Sequence, residues 1–160
     1  MSVTLHTPAF TDRHPVPVRH TEDGEDVSPP LTWTTLPAGT QQLALIVDDP
    51  DAPTEEPWVH WVIYNIPASP GGGLPEGVPQ AERPETPAGA AQGLNTWKTV
   101  GYRGPAPPPG HGVHHYHFKL YALDASLGLE PGLDKRALMN AMSGHILGHG
   151  EVVGTYDRPK

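Results

Sequence analysis

The segment LALIVDDPDAPTEEPWVHW, residues 43–61, and the segment GPAPPPGHGVHHYHFKLY, residues 104–121, decide how this chain folds. In the first, two apolar runs flank a loop of carboxylates and prolines. In the second, a stiff Pro/Gly loop leads into a run rich in histidine. Unbroken apolar runs with β-branched and aromatic residues are typical of buried strands. Polar groups gathered where such strands begin and end are typical of a small pocket, so the two segments together predict a ligand-binding β domain.

Alternation along the second segment divides its histidines between two faces of one strand, because successive side chains of a strand point to opposite sides. His114 and Tyr116 share a face with the apolar Phe118. We therefore expect His114 and Tyr116 to point inward at the open end of a sandwich. His115 and His117 share the other face, where we expect them to meet solvent or a partner.

Composition limits the classes of function that the chain can have. Its 160 residues are enough for one domain with its own core, and we expect a single domain over residues 1–160. It contains no cysteine, which excludes disulfides, thiolate zinc sites and a cysteine nucleophile. A formal net charge of −8, with only 10 lysines and arginines, argues against nucleic acid and anionic membranes as partners. Any anion that binds must therefore be held by local donors.

The first residues lack the basic segment and apolar run of a signal peptide. Nowhere do about 18 apolar residues follow one another, so we expect no membrane span. The default expectation is a soluble, cytoplasmic protein without an obligate cofactor. The 21 prolines and 18 glycines favour short strands and shaped loops over helices.

The other elements follow from local patterns. Residues 3–10 alternate weakly and predict an edge strand, and residues 151–156 predict a last strand. Residues 67–93 are rich in Gly and Pro and have no periodicity, which predicts a mobile surface loop. One helix is expected to begin after Asp134, which can cap it, and to end near Gly148. On that helix, His145 is expected to form a hydrogen bond to the core.

From about Ser28 to Tyr156, the order of these motifs resembles the phosphatidylethanolamine-binding protein family, and in particular its bacterial Raf-kinase-inhibitor-like branch (YbhB/YbcL). The motifs that carry the resemblance are Ser28-Pro29-Pro30-Leu31-Thr32-Trp33, Asp49-Pro50-Asp51-Ala52-Pro53, Trp58 with His60, the Gly104 to Gly112 loop, His114-His115-Tyr116, Tyr121-Ala122-Leu123-Asp124, and Gly144-His145-Ile146-Leu147 with Gly154-Thr155-Tyr156. The resemblance implies a mainly β fold, an antiparallel β-sandwich of two sheets with Greek-key-like order, one C-terminal α-helix and long Pro/Gly loops. It also implies a small anion pocket at one end.

The resemblance assigns roles to residues by their positions in these motifs. The implied ligand-binding residues are Asp49, His60, His114 and Tyr116. The implied pocket-wall or loop-supporting residues are Asp51, Trp58, Ala106, Pro108 and Gly110. No catalytic residue is implied, and the expected ligand is a phosphate, a phospholipid headgroup or a carboxylate.

Three positions depart from the family pattern. His115 stands where an arginine is usual between the histidine and the tyrosine, so the contact that the arginine makes is in question. Ala106 replaces a glycine of the Pro/Gly loop, which weakens the expectation of a backbone N–H contact there. Asp48 adds a carboxylate where a neutral residue is more usual.

The pocket chemistry rests on histidine, which can be neutral or cationic near neutral pH and can donate hydrogen bonds to an anion. If Asp49 lies beside His60 or His114, the carboxylate favours the imidazolium and raises the pKa of that histidine. Anions would then bind better as the pH falls toward that pKa. Backbone N–H groups of Gly110 and Gly112 can add further donors.

Two other interpretations remain open from the sequence. His111, His115 and His117 have spacings that small β-barrel metalloenzymes use for zinc or iron, although no carboxylate follows to complete the set. Alternatively, the chain is a protein-interaction module with a vestigial pocket. Regulation of a kinase or a protease, and a homodimer, are expectations that rest on the resemblance alone.

Overall fold

The computed structural model describes residues 3–69 and 72–158. Within those ranges the chain forms nine strands, one α-helix and one short 3-10 helix. The elements are β1 (Thr4–His6), β2 (His14–Pro15), the 3-10 helix (Val18–His20), β3 (Leu31–Thr34), β4 (Gln42–Asp49), β5 (Trp58–Pro67), β6 (Gly73–Leu74), β7 (Ala91–Gln92), β8 (His114–Leu123), α1 (Lys135–Met142) and β9 (Ile146–Tyr156). The predicted mainly β fold with two sheets and one helix is confirmed.

The strands form a six-stranded sheet in the order β2-β9-β8-β4-β5-β7 and a three-stranded sheet in the order β1-β3-β6. Pairing is antiparallel except between β2 and β9, which run parallel. The segments 43–61 and 104–121 supply most of β4, the start of β5 and most of β8, which are neighbours in the large sheet. The strand β4 lies between the other two, so its end brings both of their loops together.

Side chains of β4, β5 and β8 alternate between two apolar layers. One layer lies between the sheets, where Trp33 of β3 belongs to the same cluster as Leu45 and Phe118. The other lies on the opposite face of the large sheet, where Leu138 and Met142 of α1 are fully buried. Burying a side chain of this size stabilises the fold by about 1.5–3 kcal/mol, so both layers hold the large sheet in place.

The described part of the segment 67–93 is mostly exposed, as its composition predicted, but it also contains ordered pairing that the composition did not predict. It supplies β6 and β7, and the side chain of Gln92 is fully buried. The Gln92 amide donates to the carbonyls of Pro79 (2.7 Å) and Ala81 (2.8 Å) and accepts from Trp61 Nε1 (2.7 Å). Hydrogen bonds from one buried amide thus replace the regular ladder that a periodic sequence would have formed.

Three boundaries differ from the predicted ones. The first strand covers only Thr4–His6 of the expected 3–10. Helix α1 begins after Asp134, whose side chain accepts from Ala137 N (2.9 Å) as predicted, but it ends at Met142 rather than near Gly148. Gly144 adopts a φ of 82°, a left-handed conformation that commonly terminates helices. The chain then enters β9 at Ile146, five residues earlier than the predicted start at residue 151.

Local geometry explains why residues 146–150 belong to a strand. Gly150 pairs with Leu120 of β8, and a Cβ atom at Gly150 would collide with the carbonyl oxygen of Val3. Glycine therefore lets the N-terminal segment approach β9 closely. The prediction for His145 was wrong, because its Nδ1 lies 2.9 Å from Oδ1 of Asp124 at the surface and makes no hydrogen bond to the core.

The extra carboxylate at Asp48 joins the large sheet to α1. Its side chain is only 1% exposed, and it lies 3.3 Å from Nζ of Lys119 on β8 and 2.7 Å from Nζ of Lys135 on α1. A buried carboxylate requires such partners because its charge has lost most of its water. Asp48 therefore contributes to helix docking and lies outside the pocket implied by the sequence.

We predict that the double substitution Lys119→Met with Lys135→Met destabilises the fold by about 3 kcal/mol, because it leaves a buried charge without a partner. Urea unfolding measures the change. Adding Asp48→Asn to the double variant should restore most of the loss, since the uncompensated charge is then gone. Lys98→Met, which removes an exposed ammonium, is the control. A triple variant no more stable than the double variant would contradict this account.

Candidate functional site

A pocket of about 290 Å³ opens where the loop after β4 meets the Pro/Gly loop before β8. Seven of the residues singled out from the sequence line it, namely Asp49, Trp58, His60, Ala106, Pro108, His114 and Tyr116. The lining also includes Glu22, Trp97 and Arg158, which sequence reasoning missed. The pocket thus combines side chains from both segments of the sequence analysis with others from distant parts of the chain.

Asp51 and Gly110 support the pocket from outside its lining. Oδ2 of Asp51 accepts from the backbone N–H of His115 (2.7 Å) and lies 2.7 Å from Nδ1 of the same residue. Burial raises the pKa of Asp51, but the two bonds from His115 outweigh it, so the net shift is downward. His115 thus braces the acidic loop, although it is not the arginine that the family pattern has there. Gly110 donates its N–H to the carbonyl of Arg158 (2.9 Å), so this N–H is not free for a ligand.

Asp49 fixes the orientation of His114. Its Oδ1 accepts from the N–H of Asp51 (2.8 Å), and its Oδ2 accepts from Nδ1 of His114 (2.6 Å). Burial raises the pKa of Asp49, and these two hydrogen bonds oppose the rise. Asp49 thus holds the His114 imidazole in one orientation while lining the pocket itself.

The second nitrogen of His114 also has a partner. Nε2 of His114 lies 2.6 Å from Nδ1 of His111, which stands on the exposed end of the Pro/Gly loop. One proton must lie between these nitrogens for the contact to be a hydrogen bond. Asp49, His114 and His111 therefore form a chain from the buried carboxylate to the surface, and His111 occupies the nitrogen that would meet an anion.

His60 is a neutral imidazole with a defined tautomer. Its Nδ1 lies 2.7 Å from the carbonyl oxygen of Arg103, which can only accept, so Nδ1 carries the proton and Nε2 is left as an acceptor. Burial lowers the pKa of His60 to about 4. The expected rise of a histidine pKa through Asp49 is therefore wrong for His60, because Asp49 bonds to His114 and burial dominates at His60.

The hydroxyl of Tyr116 is buried and has no hydrogen-bond partner among the residues that the structure describes. The His60 ring lies edge-on to the phenol, with 5.1 Å between ring centroids. Burial raises the pKa of Tyr116 far above its usual value, so the hydroxyl keeps its proton and can donate it. A buried hydroxyl without a partner costs about 1–3 kcal/mol, which an oxygen of a ligand or a water in the pocket would recover.

An aromatic wall closes one side of the pocket. The Trp97 ring stands edge-on to Trp58 (5.4 Å between centroids) and to His60 (5.0 Å), and the Arg103 guanidinium lies 4.5 Å from the centre of the Trp97 ring. Cation–π contact and edge-to-face packing hold the indole in one orientation. Nothing in the short polar turn around Trp97 indicated this role, since the contacts join segments distant in sequence.

Arg158 reaches the pocket from the segment after β9. Its Nε lies 3.1 Å from Oδ2 of Asp23, and its Nη2 lies 3.0 Å from Oδ1. The Tyr156 hydroxyl donates to the same carboxylate (2.6 Å), and the bonds from Tyr156 and Arg158 lower the pKa of Asp23. An isolated arginine near a chain terminus carries no sequence signal for such a position.

The three histidines that could have formed a metal site bond to different partners. His111 contacts His114, His115 bonds to Asp51, and Nδ1 of His117 lies 3.2 Å from Oε2 of Glu151. Among residues 3–69 and 72–158, no group of three or more metal-ligating side chains is arranged so that it could hold a metal ion. The arrangement that this alternative requires is therefore not formed there.

A larger concavity of about 800 Å³ lies between α1 and the segments 54–59 and 94–98, and Trp58 lines both cavities. Its charged side chains have both signs, since Lys98 and Arg136 stand with Glu55 and Glu56. In the described part of the chain, two buried side-chain oxygens lack a hydrogen bond, Asp48 Oδ1 and the Tyr116 hydroxyl, and neither residue lines this concavity. The smaller pocket is therefore the stronger candidate site.

Comparison with known proteins gives consistent matches. The family model described as phosphatidylethanolamine-binding protein matches residues 6–157. A UPF0098 protein of Methanothermobacter thermautotrophicus is 52% identical over 98% of this chain and 99% of its own length. The crystal structures of YbcL from E. coli (TM-score 0.90, 29% identity, 98% of this chain and 99% of that one) and of the phosphatidylethanolamine-binding protein homologue CT736 from Chlamydia trachomatis (TM-score 0.86, 37% identity, 98% of each chain) are also similar. The resemblance stated from the motifs is confirmed, and this chain belongs to the phosphatidylethanolamine-binding protein family.

Proposed function

We propose that this chain binds a small oxyanion that carries a proton, such as phosphate or a phosphate monoester, in the pocket lined by His60, His114 and Tyr116. The observation that carries the proposal is the buried hydroxyl of Tyr116, a donor without a partner among the described residues. It stands beside the imidazoles of His60 and His114. The Nδ1 atoms of these rings are bonded to Arg103 and Asp49, respectively. The name of the family points to a phosphate-bearing ligand as well.

The hydrogen-bonding character of each group defines the ligand. Tyr116 donates through its hydroxyl, and His114 can donate through Nε2 when it carries a second proton. His60 presents the acceptor nitrogen Nε2, because its Nδ1 is fixed as a donor to Arg103. A ligand that fits needs oxygens that accept and one hydroxyl that donates. Phosphate and its monoesters offer both near neutral pH, whereas sulfate has no proton to donate.

Binding rather than catalysis is the function that these contacts support. Asp49 is held by two hydrogen bonds and is placed to orient His114. Regulation of a kinase or a protease and a homodimer remain predictions that follow from the family resemblance. A cytoplasmic location remains a prediction from the sequence pattern. No helix in the described part of the chain is long and apolar enough to cross a membrane.

We predict that Tyr116→Phe weakens the binding of inorganic phosphate by about 10-fold or more, the loss of one hydrogen bond to a charged group. Its melting temperature should stay the same or rise, because the hydroxyl has no partner in the described fold to lose. Titration calorimetry and thermal unfolding measure the two effects. Tyr121→Phe, on the same strand, is the matched control. Unchanged phosphate affinity in Tyr116→Phe would remove the pocket assignment.

Phosphate should bind at least about 10-fold more tightly than sulfate at neutral pH. The reason is that Nε2 of neutral His60 can accept a hydrogen bond from a phosphate hydroxyl, whereas sulfate has no hydroxyl to donate one. The preference should persist while the pH stays above the His60 pKa of about 4 and decline as His60 becomes charged below it. Competition titrations with both anions at several pH values measure it. Equal affinities near neutral pH would show that His60 does not accept from the ligand.

His111 Nδ1 lies 2.6 Å from His114 Nε2, the nitrogen that would donate to the anion. Because ligand and His111 compete for that nitrogen, His111→Ala should raise phosphate affinity several-fold. His117→Ala, whose partner Glu151 lies outside the pocket, should leave it unchanged. The same calorimetric titration compares the two variants. Weaker binding in His111→Ala would mean that His111 contacts the ligand instead of competing with it.

A further inference from the structure

Without the segment after β9, the charged side chains that line the pocket would repel an anion. Glu22 and Asp49 line the pocket with carboxylates, and His60 is kept neutral by burial. Among the described lining residues, Arg158 is the only lysine or arginine. With a net charge of −8 on the chain, the surroundings supply no general attraction for an anion. A fixed cation inside the pocket therefore decides whether an anion is held.

The guanidinium of Arg158 is fixed in position and only partly used. Its Nε and Nη2 face the two oxygens of Asp23, at 3.1 Å and 3.0 Å, and its side chain is 21% exposed. An arginine has five N–H donors in a rigid plane. A bidentate pair with one carboxylate uses two of them and leaves the remaining N–H donors available. The backbone carbonyl of Arg158 accepts from Gly110, which joins the segment to the Pro/Gly loop.

Arg158 and Tyr116 line the same pocket, which gives a second indication. The positive charge of Arg158 lowers the pKa of the Tyr116 phenol, although burial and the Asp49 carboxylate raise it more. The guanidinium and the unpartnered hydroxyl thus belong to the lining of one pocket. The volume of this shared pocket is about 290 Å³.

We propose that Arg158 is a ligand-binding residue whose guanidinium, held by Asp23, contacts the oxyanion in the pocket and supplies its countercharge. The inference rests on the proposed function, since it names the residue that makes the same site selective for anions. A planar guanidinium with free N–H donors on one edge suits two oxygens of a phosphate. Asp23 and Tyr156 are positioning residues, because they act on the ligand through Arg158.

Arg158→Gln and Arg158→Lys test the inference, with inorganic phosphate as the probe in titration calorimetry. Arg158→Gln should lose about 10-fold or more in affinity, and the remaining binding should depend less on salt, because a charged contact is gone. Arg158→Lys keeps the charge without the two-point pair and should recover part of the affinity. Arg136→Gln, an exposed arginine that lines only the larger concavity, should behave like the wild type.

The outcomes separate this inference from the proposed function. If the wild type binds phosphate and Tyr116→Phe weakens binding, but Arg158→Gln binds with unchanged affinity and unchanged salt dependence, the role of Arg158 is refuted and the pocket stands. A wild-type protein without phosphate binding refutes both. Melting temperatures show whether the loss of the Asp23 pair disturbs the fold. Equal binding losses in Arg158→Lys and Arg158→Gln would indicate a structural role and would also refute the inference.

Discussion

Two adjacent carboxylates at the end of β4 point to opposite faces of the large sheet, and both the helix and the pocket depend on this alternation. Asp48 faces α1, where it pairs with Lys119 and Lys135. Asp49 faces the pocket, where it orients His114. Because the side-chain period of a strand is two, a shift of β4 by one residue would turn each carboxylate to the opposite face. It would bring Asp48 away from its lysines and leave His114 without its carboxylate.

The pocket combines a hydrogen-bond donor, Tyr116, with a hydrogen-bond acceptor, His60. The protonation state of each is fixed in a different way. Burial keeps the Tyr116 phenol protonated, and a backbone carbonyl together with burial keeps His60 neutral with one acceptor nitrogen. Neither state requires a charge to be buried without a partner, which would be costly in this enclosed setting. The single fixed cation of the described lining, Arg158, is held by a carboxylate at the pocket edge. Under the proposed function, Arg158 supplies the attraction for an anion, and the placement of protons on Tyr116 and His60 distinguishes one anion from another.

The sequence predicted what depends on local periodicity. Alternation placed His114 and Tyr116 on the buried face of β8 and left His115 and His117 on the other, and the capping residue of α1 was identified as Asp134. Contacts between distant residues escaped it. The His60 tautomer is set by Arg103, 43 residues away, and the Arg158 guanidinium by Asp23, 135 residues away. The same reason applies to residues 72–93, where the buried amide of Gln92 bonds to two carbonyls and an indole without any repeating pattern in the sequence.

The pair formed by Asp23 and Arg158 also bears on how the chain assembles. It joins residues that are 135 positions apart, so this edge of the pocket can form only after the segment from Asp23 to Arg158 has left the ribosome. Contacts between residues so far apart in sequence carry a large loop-closure entropy and tend to form late. The sheet core around β4 and β8 can therefore be compact in a nascent chain while the binding site is still incomplete. A ligand that needs Arg158 would therefore stabilise the late steps of folding rather than the early ones.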